Sequence, residues 1–555
     1  MLDAFFAQYY ARHPVTATFT GVHAHDRRLP DWSTAARQAD VSEMRALHAR
    51  LAAEFPFPVG GFASLHHDAD ALDAELARAN LEVRIAEIES GFLHDRNPAL
   101  WTGEAIFGCV SLMIRDFAPV AERVLALRAR VAGIPGFLAE MRRAVVEPVP
   151  VLWRQKAQRE CAAAQDLLGA GLAEWIVATG AVGLTAGDAE VAKARDAFSE
   201  AAAWLEALGD ADATAYACGE ALLGTLLRRG HFCRKEPRTL LARATEAMVE
   251  ASAQLDVALE SFSGSWAAAQ AAMVADRPGV AEYYGAFARR WIEIREGVLV
   301  RDAVTWPDWP IRYVPIPAWA RAVAPQLYWL FYRSPAPFDG YTEYDYVVTP
   351  VDASMPPELQ TARLSAWNHS VITLNHVVHH GGMGHHVQNW HAIHRSTSRV
   401  GTVAAVDAAS RIGMFLGGSM AEGWACYATG LAEELGLLSP LEVVSERHTG
   451  VRLLARAIVD LRLHLGDWSF DECVRYYEST VGMSREVATA ETTKNSMFPA
   501  TALMYWLGTD GILELRARHR LVQGTDFSLR AFHDELLGRG AIPVLLVSQM
   551  MEPGS

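Results

Sequence analysis

The chain has few of the features that identify a protein's function at first sight. Its six cysteines are scattered and include no Cys-x-x-Cys pair, so they indicate reduced, mostly buried thiols rather than a disulfide framework. Lysine and arginine form no block, and the net charge is -15. A surface of that charge argues against nucleic acid and anionic membranes as partners.

Export signals and long apolar runs are absent as well. The first ten residues contain no basic segment, and the most apolar long stretch, 315–332, is interrupted by prolines and by Arg321. No Gly-x-Ser-x-Gly, phosphate loop or dinucleotide fingerprint occurs in a suitable context. We therefore expect a soluble cytoplasmic protein that does not act on membranes. The sequence does not indicate its oligomeric state.

Helical periodicity dominates the sequence. Apolar residues recur at spacings of three and four in segments rich in Ala, Leu, Glu and Arg. Such segments are 66–92, 119–146, 151–178, 188–229, 238–272, 420–436, 441–466, 470–479 and 500–520. Gly133–Gly136 and Gly180–Gly183 resemble connections between helices. We predict a mostly α protein with two helical lobes around a cleft, 1–300 and 301–555, the second carrying the functional site.

The composition changes near residue 303. Residues 306–351 are dense in Trp, Tyr and Pro, and Tyr341–Thr349 is the best strand candidate in the chain. This stretch is either an irregular packed wall or the aromatic lining of a substrate cleft. In the second interpretation, Tyr332 contacts the substrate.

Histidine is concentrated in one place. Seven of the 20 histidines lie between His376 and His394. Neutral imidazole is the commonest protein ligand of transition metals, so this run predicts a metal site. His376 with His380, or His391 with His394, would share a helix face. His379 and His385 are six residues apart and would need the bend that Gly381–Gly384 could supply. Spacing alone does not choose among these pairs.

Several motifs together resemble the bacterial domain-of-unknown-function 885 family, which is similar to the zincins. The family reads His-Glu-x-x-Pro-Gly-His-His-x-Gln where this chain has His379–Gln388, and Glu-Gly-Trp-Ala-x-Tyr-Ala where it has Glu422–Ala428. The resemblance extends over nearly the whole chain, and these are its further matching segments: Pro14–Gly21, Asp460–Trp468, Glu491–Gly508 and Phe532–Pro543.

The resemblance implies that His379 and His385 are metal ligands and that Glu422 is the third. Two imidazoles and one carboxylate leave an open position on zinc, as catalytic sites require. One departure matters: the glutamate that serves zincins as general base is His380 here. A positioned general base is typically worth about 10²–10⁴-fold in rate. His380 could replace it as the base, or it could be a ligand with His376; His386 is the next candidate base.

The resemblance and the spacing suggest further site residues. Tyr505 stands where related zincins aim a phenol at the developing oxyanion. Lys494 lies at a normally basic position and could pair with a substrate carboxylate or with Glu491. Asp460 and His464 are four apart, which permits a carboxylate–imidazole hydrogen bond. We assign His464 to substrate binding, and Asp460 and Gln388 to the support of the ligands.

Three functions are compatible with these residues. The first is a zinc-dependent hydrolase of an amide or peptide-like small substrate. The second is a non-hydrolytic Fe or Mn enzyme, since two histidines and one carboxylate also suit those metals. The third is a non-catalytic binding protein derived from a zincin that has lost its base. The sequence names no substrate.

Overall fold

The prediction of a mostly α protein is confirmed. The computed structural model describes residues 1–262, 264–326, 336–340, 344–408, 411–412 and 414–551. The helices of the first half are α1 Leu2–Arg12, α2 Pro14–Thr20, α3 Thr34–Glu54, α4 Ala69–Glu89, α5 Pro98–Met113, α6 Val120–Ala144, α7 Val151–Asp166, α8 Leu172–Thr179, α9 Ala189–Ala207, α10 Glu220–Thr225, α11 Pro237–Phe262, α12 Trp266–Ala275 and α13 Tyr283–Val300.

The second half continues in the same way. Its helices are α14 Pro357–Ala366, α15 His369–Val371, α16 His385–His394, α17 Arg399–Val403, α18 Gly418–Glu434, α19 Pro440–His464, α20 Phe470–Val481, α21 Arg485–Met497, α22 Leu503–Gln523, α23 Leu529–Gly538 and α24 Val544–Met550. Three π-helical segments are Leu167–Gly171, Leu226–Gly230 and Ile372–Gly381. Among the described helices, none has both the length and the hydropathy needed to cross a bilayer.

Strands are few and short. β1 (Ile311–Pro315) pairs in parallel with β2 (Tyr344–Val348), and β3 (Asp407–Ala408) pairs antiparallel with β4 (Arg411–Ile412). The strand predicted at Tyr341–Thr349 is confirmed over 344–348, and 341–343 lie outside the described residues. β2 is buried at four of its five positions, which β-branched and aromatic side chains favour.

Three details of the helix prediction are wrong. The segment 238–272 is not one helix, because α11 ends at Phe262 and α12 begins at Trp266. Gly133–Gly136 is not a connection, because α6 continues through it with Pro135 inside the helix. Its apolar side chains, including Val131, Ile134 and Leu138, stay buried across the segment, and this packing outweighs the local helix breakers. The segment 188–229 is not one helix: α9 ends at Ala207, and an irregular stretch that includes Gly219 at φ 87° precedes α10.

Two large hydrophobic clusters and a small third one form the core of the described residues. The larger packs α5, α6, α7 and α9 against parts of α19, α20 and α21. The second joins α1, α4 and α13 to the π-helix at 372–381, α18 and the last helices of the chain. Each cluster draws residues from both sides of position 300, so the boundary between the predicted lobes does not separate two cores. The histidine run lies within the second cluster.

The α19 and α20 helices begin at capping motifs that can be recognised in the sequence. Ser439 and Glu442 form a reciprocal capping box at α19, and Ser469 with Glu472 does the same at α20. Each box satisfies two backbone donors that a helix start otherwise leaves without partners. One face of α19 approaches the histidine run.

An ionic contact links two segments that are more than 300 residues apart in the sequence. His23 contacts Asp26 Oδ2 through Nδ1 at 2.9 Å and Asp339 Oδ1 through Nε2 at 2.7 Å, and its ring stacks on Phe117. Burial lowers the pKa of His23, but the hydrogen bonds to Asp26 and Asp339 outweigh it and raise the pKa to about 9. His23 is therefore charged near neutral pH and joins residues 23–26 to residue 339.

We expect His23→Gln to destabilise the protein only where His23 is protonated. A histidine whose pKa is raised from about 6.5 on folding stabilises the folded state fully below pH 6.5. That contribution falls as the pH rises and is lost above pH 9. Thermal unfolding of wild type and variant between pH 6 and pH 10 measures the difference in Tm. A difference that is independent of pH would contradict the ionic role.

Candidate metal centre

The histidine run folds as two helices joined by a glycine turn. The π-helix at 372–381 ends at Gly382, and α16 begins at His385. A Cβ at Gly384 would lie 1.9 Å from the carbonyl oxygen of His379, and one at Gly382 would lie 2.6 Å from that of Val377. Only glycine fits at these positions, because the chain returns so close to its own backbone. The turn thereby brings His385 back beside His379, as the sequence predicts.

The three predicted ligands converge. Glu422 Oε2, from α18, lies 3.3 Å from Nε2 of His379 and 3.5 Å from Nε2 of His385. The rings of the two histidines are 4.9 Å apart and perpendicular. Each of these side chains keeps a small exposed fraction, 14% for His379 and for Glu422 and 11% for His385. The ligand atoms are thus recessed but not sealed.

His380 lies closer to this cluster than a rotation of about 100° from His379 along a helix would suggest. The two rings are 4.5 Å apart, and ligand atoms of His379, His380 and His385 all lie within 4.8 Å of one another. His380 Nδ1–H donates to the carbonyl of Asn375 at 2.6 Å, which leaves the lone pair on Nε2.

The protonation states suit a divalent cation. Burial lowers the pKa of His379 and, further still, that of His380, so both rings are neutral near pH 7. Burial opposes ionisation of Glu422, but His385 and His379 outweigh it and keep its pKa well below the ordinary value. Metal ligands must be neutral imidazoles and ionised carboxylates, and the directions of the pKa shifts of His379 and Glu422 favour those forms.

Close packing fixes the position of Glu422. Trp424 Nε1 donates to the carbonyls of Met383 and Gly384 at 2.9 and 3.2 Å, so α18 is tied to the glycine turn. A Cβ at Gly423 would lie 2.3 Å from Cα of Gly508, so α18 and α22 touch through bare backbone. Neighbouring groups therefore hold the carboxylate and the two histidines in one frame.

Four other histidines of the run do not join the cluster. His376 Nδ1 bonds to the Tyr346 hydroxyl at 2.6 Å, and His386 Nε2 donates to the Trp309 carbonyl at 3.2 Å. His391 bonds to the Thr305 carbonyl and His394 to that of Trp390. The pairs His376/His380 and His391/His394 are therefore not assembled as ligand pairs. These contacts also favour a structural role for His386 over a role as general base.

Tyr505 and Lys494 lie on the side of the site formed by α19, α21 and α22. Burial raises the pKa of Tyr505, and the charge of Glu422 adds to the effect, so the phenol is within electrostatic reach of the ligand carboxylate. The Arg456 guanidinium lies 5.1 Å from the Tyr505 ring centre and bonds to Glu491 Oε2 at 2.6 Å. Burial raises the pKa of Glu491, but the charges of Arg456, Arg452 and Lys494 have the larger effect, so the pKa lies below its ordinary value.

Asp460 and His464 bond to the scaffold. Both side chains are completely buried. Asp460 Oδ1 accepts the backbone N–H of Ala500, just before α22. His464 Nε2 donates to the Asn495 carbonyl, and its Nδ1 accepts the N–H of Cys218. With both nitrogens engaged, His464 is better placed to support the fold than to bind substrate, while Asp460 supports the turn before Tyr505.

The predicted roles of Gln388 and Tyr332 both stay predictions. Gln388 is buried, three residues after His385 on α16, and neither of its amide atoms has a hydrogen-bond partner among the described residues. Its predicted support of a ligand stays a prediction. Tyr332 lies outside the described residues, so its predicted contact with substrate stays a prediction as well.

Sequence reasoning missed three side chains near the site: Cys426, Arg452 and Arg456. Cys426 Sγ lies 3.9 Å from Nδ1 of His379, on the side opposite the nitrogen that faces Glu422. Cys426 follows Glu422 by one helical turn, and Arg456 follows Arg452 by one turn. These spacings of four were the available signal, but on amphipathic helices they usually mark ordinary neighbours.

Comparisons with known proteins identify a family and a fold. A family model described as "Bacterial protein of unknown function (DUF885)" matches residues 14–551. A structure from Shewanella oneidensis, described as a lipoprotein of unknown function, has a TM-score of 0.76 at 20% identity and covers 99% of this chain and 98% of its own. One from Colwellia psychrerythraea, also described as a lipoprotein, has a TM-score of 0.74 at 16% identity, with 99% and 97% covered. No curated protein matches the chain.

Proposed function

Because the chain belongs to the DUF885 family, whose description gives no activity, we propose a function from its own side chains: a zinc-dependent hydrolase that cleaves an amide bond in a small peptide-like substrate. His379, His385 and Glu422 hold the metal in this proposal. Their resemblance to the ligands of zincins supports it, as does the convergence of the three side chains. The cytoplasmic location that the sequence suggests remains a prediction.

One observation carries the proposal. Ligand atoms bound tetrahedrally to zinc at about 2.0–2.1 Å are separated by roughly 3.3–3.4 Å. The distances from Glu422 Oε2 to the two Nε2 atoms are 3.3 and 3.5 Å. This spacing is compatible with ligand atoms that share one metal ion. The choice of zinc rests on the resemblance to zincins, because the residue types suit Fe and Mn as well.

The chain's own groups can provide the remaining functions. Bound zinc would polarise the substrate carbonyl and lower the pKa of a coordinated water. His380 presents the Nε2 lone pair to the cluster and can accept a proton there. The Tyr505 phenol keeps its proton near neutral pH, because burial raises its pKa, and can donate a hydrogen bond to a developing oxyanion.

The test is metal-dependent hydrolysis. We expect zinc-loaded protein to hydrolyse members of a panel of N-acyl dipeptides and aryl amides, to lose this activity on treatment with a chelator, and to regain it with zinc. Glu422→Gln should reduce turnover at fixed zinc by at least about 10²-fold, because the site then lacks an anionic ligand. Glu433→Gln, on the same helix and paired with Arg447, is the control and should stay active.

Chelator-resistant hydrolysis would contradict a metal-dependent reaction. Zinc-loaded wild type that hydrolyses no member of the panel would contradict the amide-hydrolase proposal.

A further inference from the structure

A row of polar residues lies along one face of α19. Arg452, Arg456, Asp460 and His464 follow one another at intervals of four, which places them in line on a helix. The far end of the row bonds to the scaffold through Asp460 and His464. The helix that carries the near end contacts both the π-helix at 372–381 and α18, which hold the predicted ligands. Burial is the main cause that lowers the pKa of His379, and the charge of Arg452 adds to it.

The two arginines of the row face a single carboxylate. Arg456 is neutralised by Glu491 at 2.6 Å and covers the ring of Tyr505. Arg452 differs from it: its Nε is buried and has no hydrogen-bond partner, and no carboxylate of the described residues lies within 4.0 Å of its nitrogens. Arg452 and Arg456 each act on the charge of Glu491, so the pair keeps an excess of one positive charge.

Arg452 is partly buried, and a guanidinium in that position without a carboxylate partner is costly for the folded protein. A buried charge is normally paired, because the interior cannot replace the hydration that the charge loses. The neighbours of Arg452 also keep a route to solvent, since Arg456 is 12% and Glu491 23% exposed. A partly exposed cation whose Nε has no partner in the described protein is suited to a ligand that brings its own negative charge.

We propose that Arg452 binds a carboxylate of the substrate, so that the enzyme acts on amides that carry a free carboxylate near the bond to be cleaved. Guanidinium binds a carboxylate through two parallel N–H···O bonds, which fixes orientation as well as position. Lys494 lies near the same carboxylate as the two arginines and adds to the positive potential. That the bound carboxylate belongs to a substrate rests on the proposed function. That Arg452 binds a carboxylate does not.

The test measures binding of N-acetylalanine and of its neutral analogue N-acetylalaninamide by calorimetry. Both ligands are titrated into metal-free and zinc-loaded protein. We expect wild type to bind the carboxylate at least tenfold more tightly than the amide in both forms. Arg452→Gln should lose this preference. Arg452→Lys, which keeps the charge but not the paired donors, should retain only part of it.

The matched control is Arg447→Gln. Arg447 lies on the same helix but pairs with Glu433 and lines an outer cavity of about 620 Å³ between α11 and α19. Its substitution should leave carboxylate binding within twofold of wild type. A second variant, Glu491→Gln, removes the internal competitor for the arginines and should tighten carboxylate binding severalfold. Misfolding would not produce such a gain.

Equal carboxylate binding by wild type and Arg452→Gln would overturn the inference. It would also be overturned if the preference appeared only in zinc-loaded protein and survived Arg452→Gln, since the metal would then be the anion site. Because the metal-free arm needs neither zinc nor turnover, failure of the inference leaves the hydrolase proposal standing. A positive result in that arm likewise survives failure of the hydrolase proposal.

Discussion

The double variant His379→Ala/His385→Ala is expected to retain less than roughly a tenth of the zinc that wild type retains after dialysis. Changes to groups that only support metal ligands already cost 10–100-fold in affinity, and removal of two ligands costs more. Their Nε2 atoms lie 3.3 and 3.5 Å from Glu422, and the variant leaves that carboxylate without a second ligand nearby except His380. Metal analysis by mass spectrometry gives the stoichiometry.

A second readout separates loss of metal from loss of fold. Zinc at about 100-fold above its Kd should stabilise wild type by about 2.7 kcal/mol, and it should not stabilise the double variant. His394→Ala is the control, since His394 belongs to the same run but bonds to the Trp390 carbonyl outside the cluster. Equal, negligible zinc in all three proteins would contradict the metal centre.

His380→Ala is expected to keep zinc near the wild-type level and to reduce turnover by roughly 10²-fold or more, the usual size of a lost general base. Its Nδ1–H is committed to the Asn375 carbonyl, so Nε2 is the atom that faces the cluster. Burial and the neighbouring imidazoles lower the pKa of His380, which keeps that nitrogen unprotonated. The measurement is turnover and zinc content on the same preparation.

Other results for His380→Ala would give His380 a different role. If His380→Ala empties the site, His380 is a metal ligand and the ligand set drawn from the zincin motif is incomplete. If neither zinc nor turnover changes, His380 is not the base. His380→Glu restores the zincin carboxylate; hydrolysis by that variant alone would indicate a zincin relative that has lost its base and keeps the cleft for binding.

The sequence predicted which candidate ligands the fold brings together better than it predicted the surroundings of those residues. The ligand set could be chosen because the family motifs select one pair out of several possible spacings, and Gly381–Gly384 predicted the bend between His379 and His385. The approach of His380 to His379 could not be predicted, because helical rotation alone places adjacent side chains on different faces, and the final positions of the rings depend on tertiary packing.

Some elements of the fold could be predicted from local sequence signals, and others could not. Helices with strong periodicity and capping boxes, such as α19 and α20, were predictable from local signals. Gly133–Gly136 was not, because buried neighbours on both sides carry α6 through a local breaker. Arg452 was missed for a related reason. Only the tertiary structure shows that it shares Glu491 with Arg456 and keeps an unpartnered Nε.

Anomalous diffraction at the zinc edge from crystals of the zinc-loaded protein tests the proposed metal centre most directly. We expect one strong peak per chain, within bonding distance of Nε2 of His379, Nε2 of His385 and a carboxylate oxygen of Glu422. A peak elsewhere, a site that excludes Glu422, or no peak at this cluster under conditions that load zinc would contradict it.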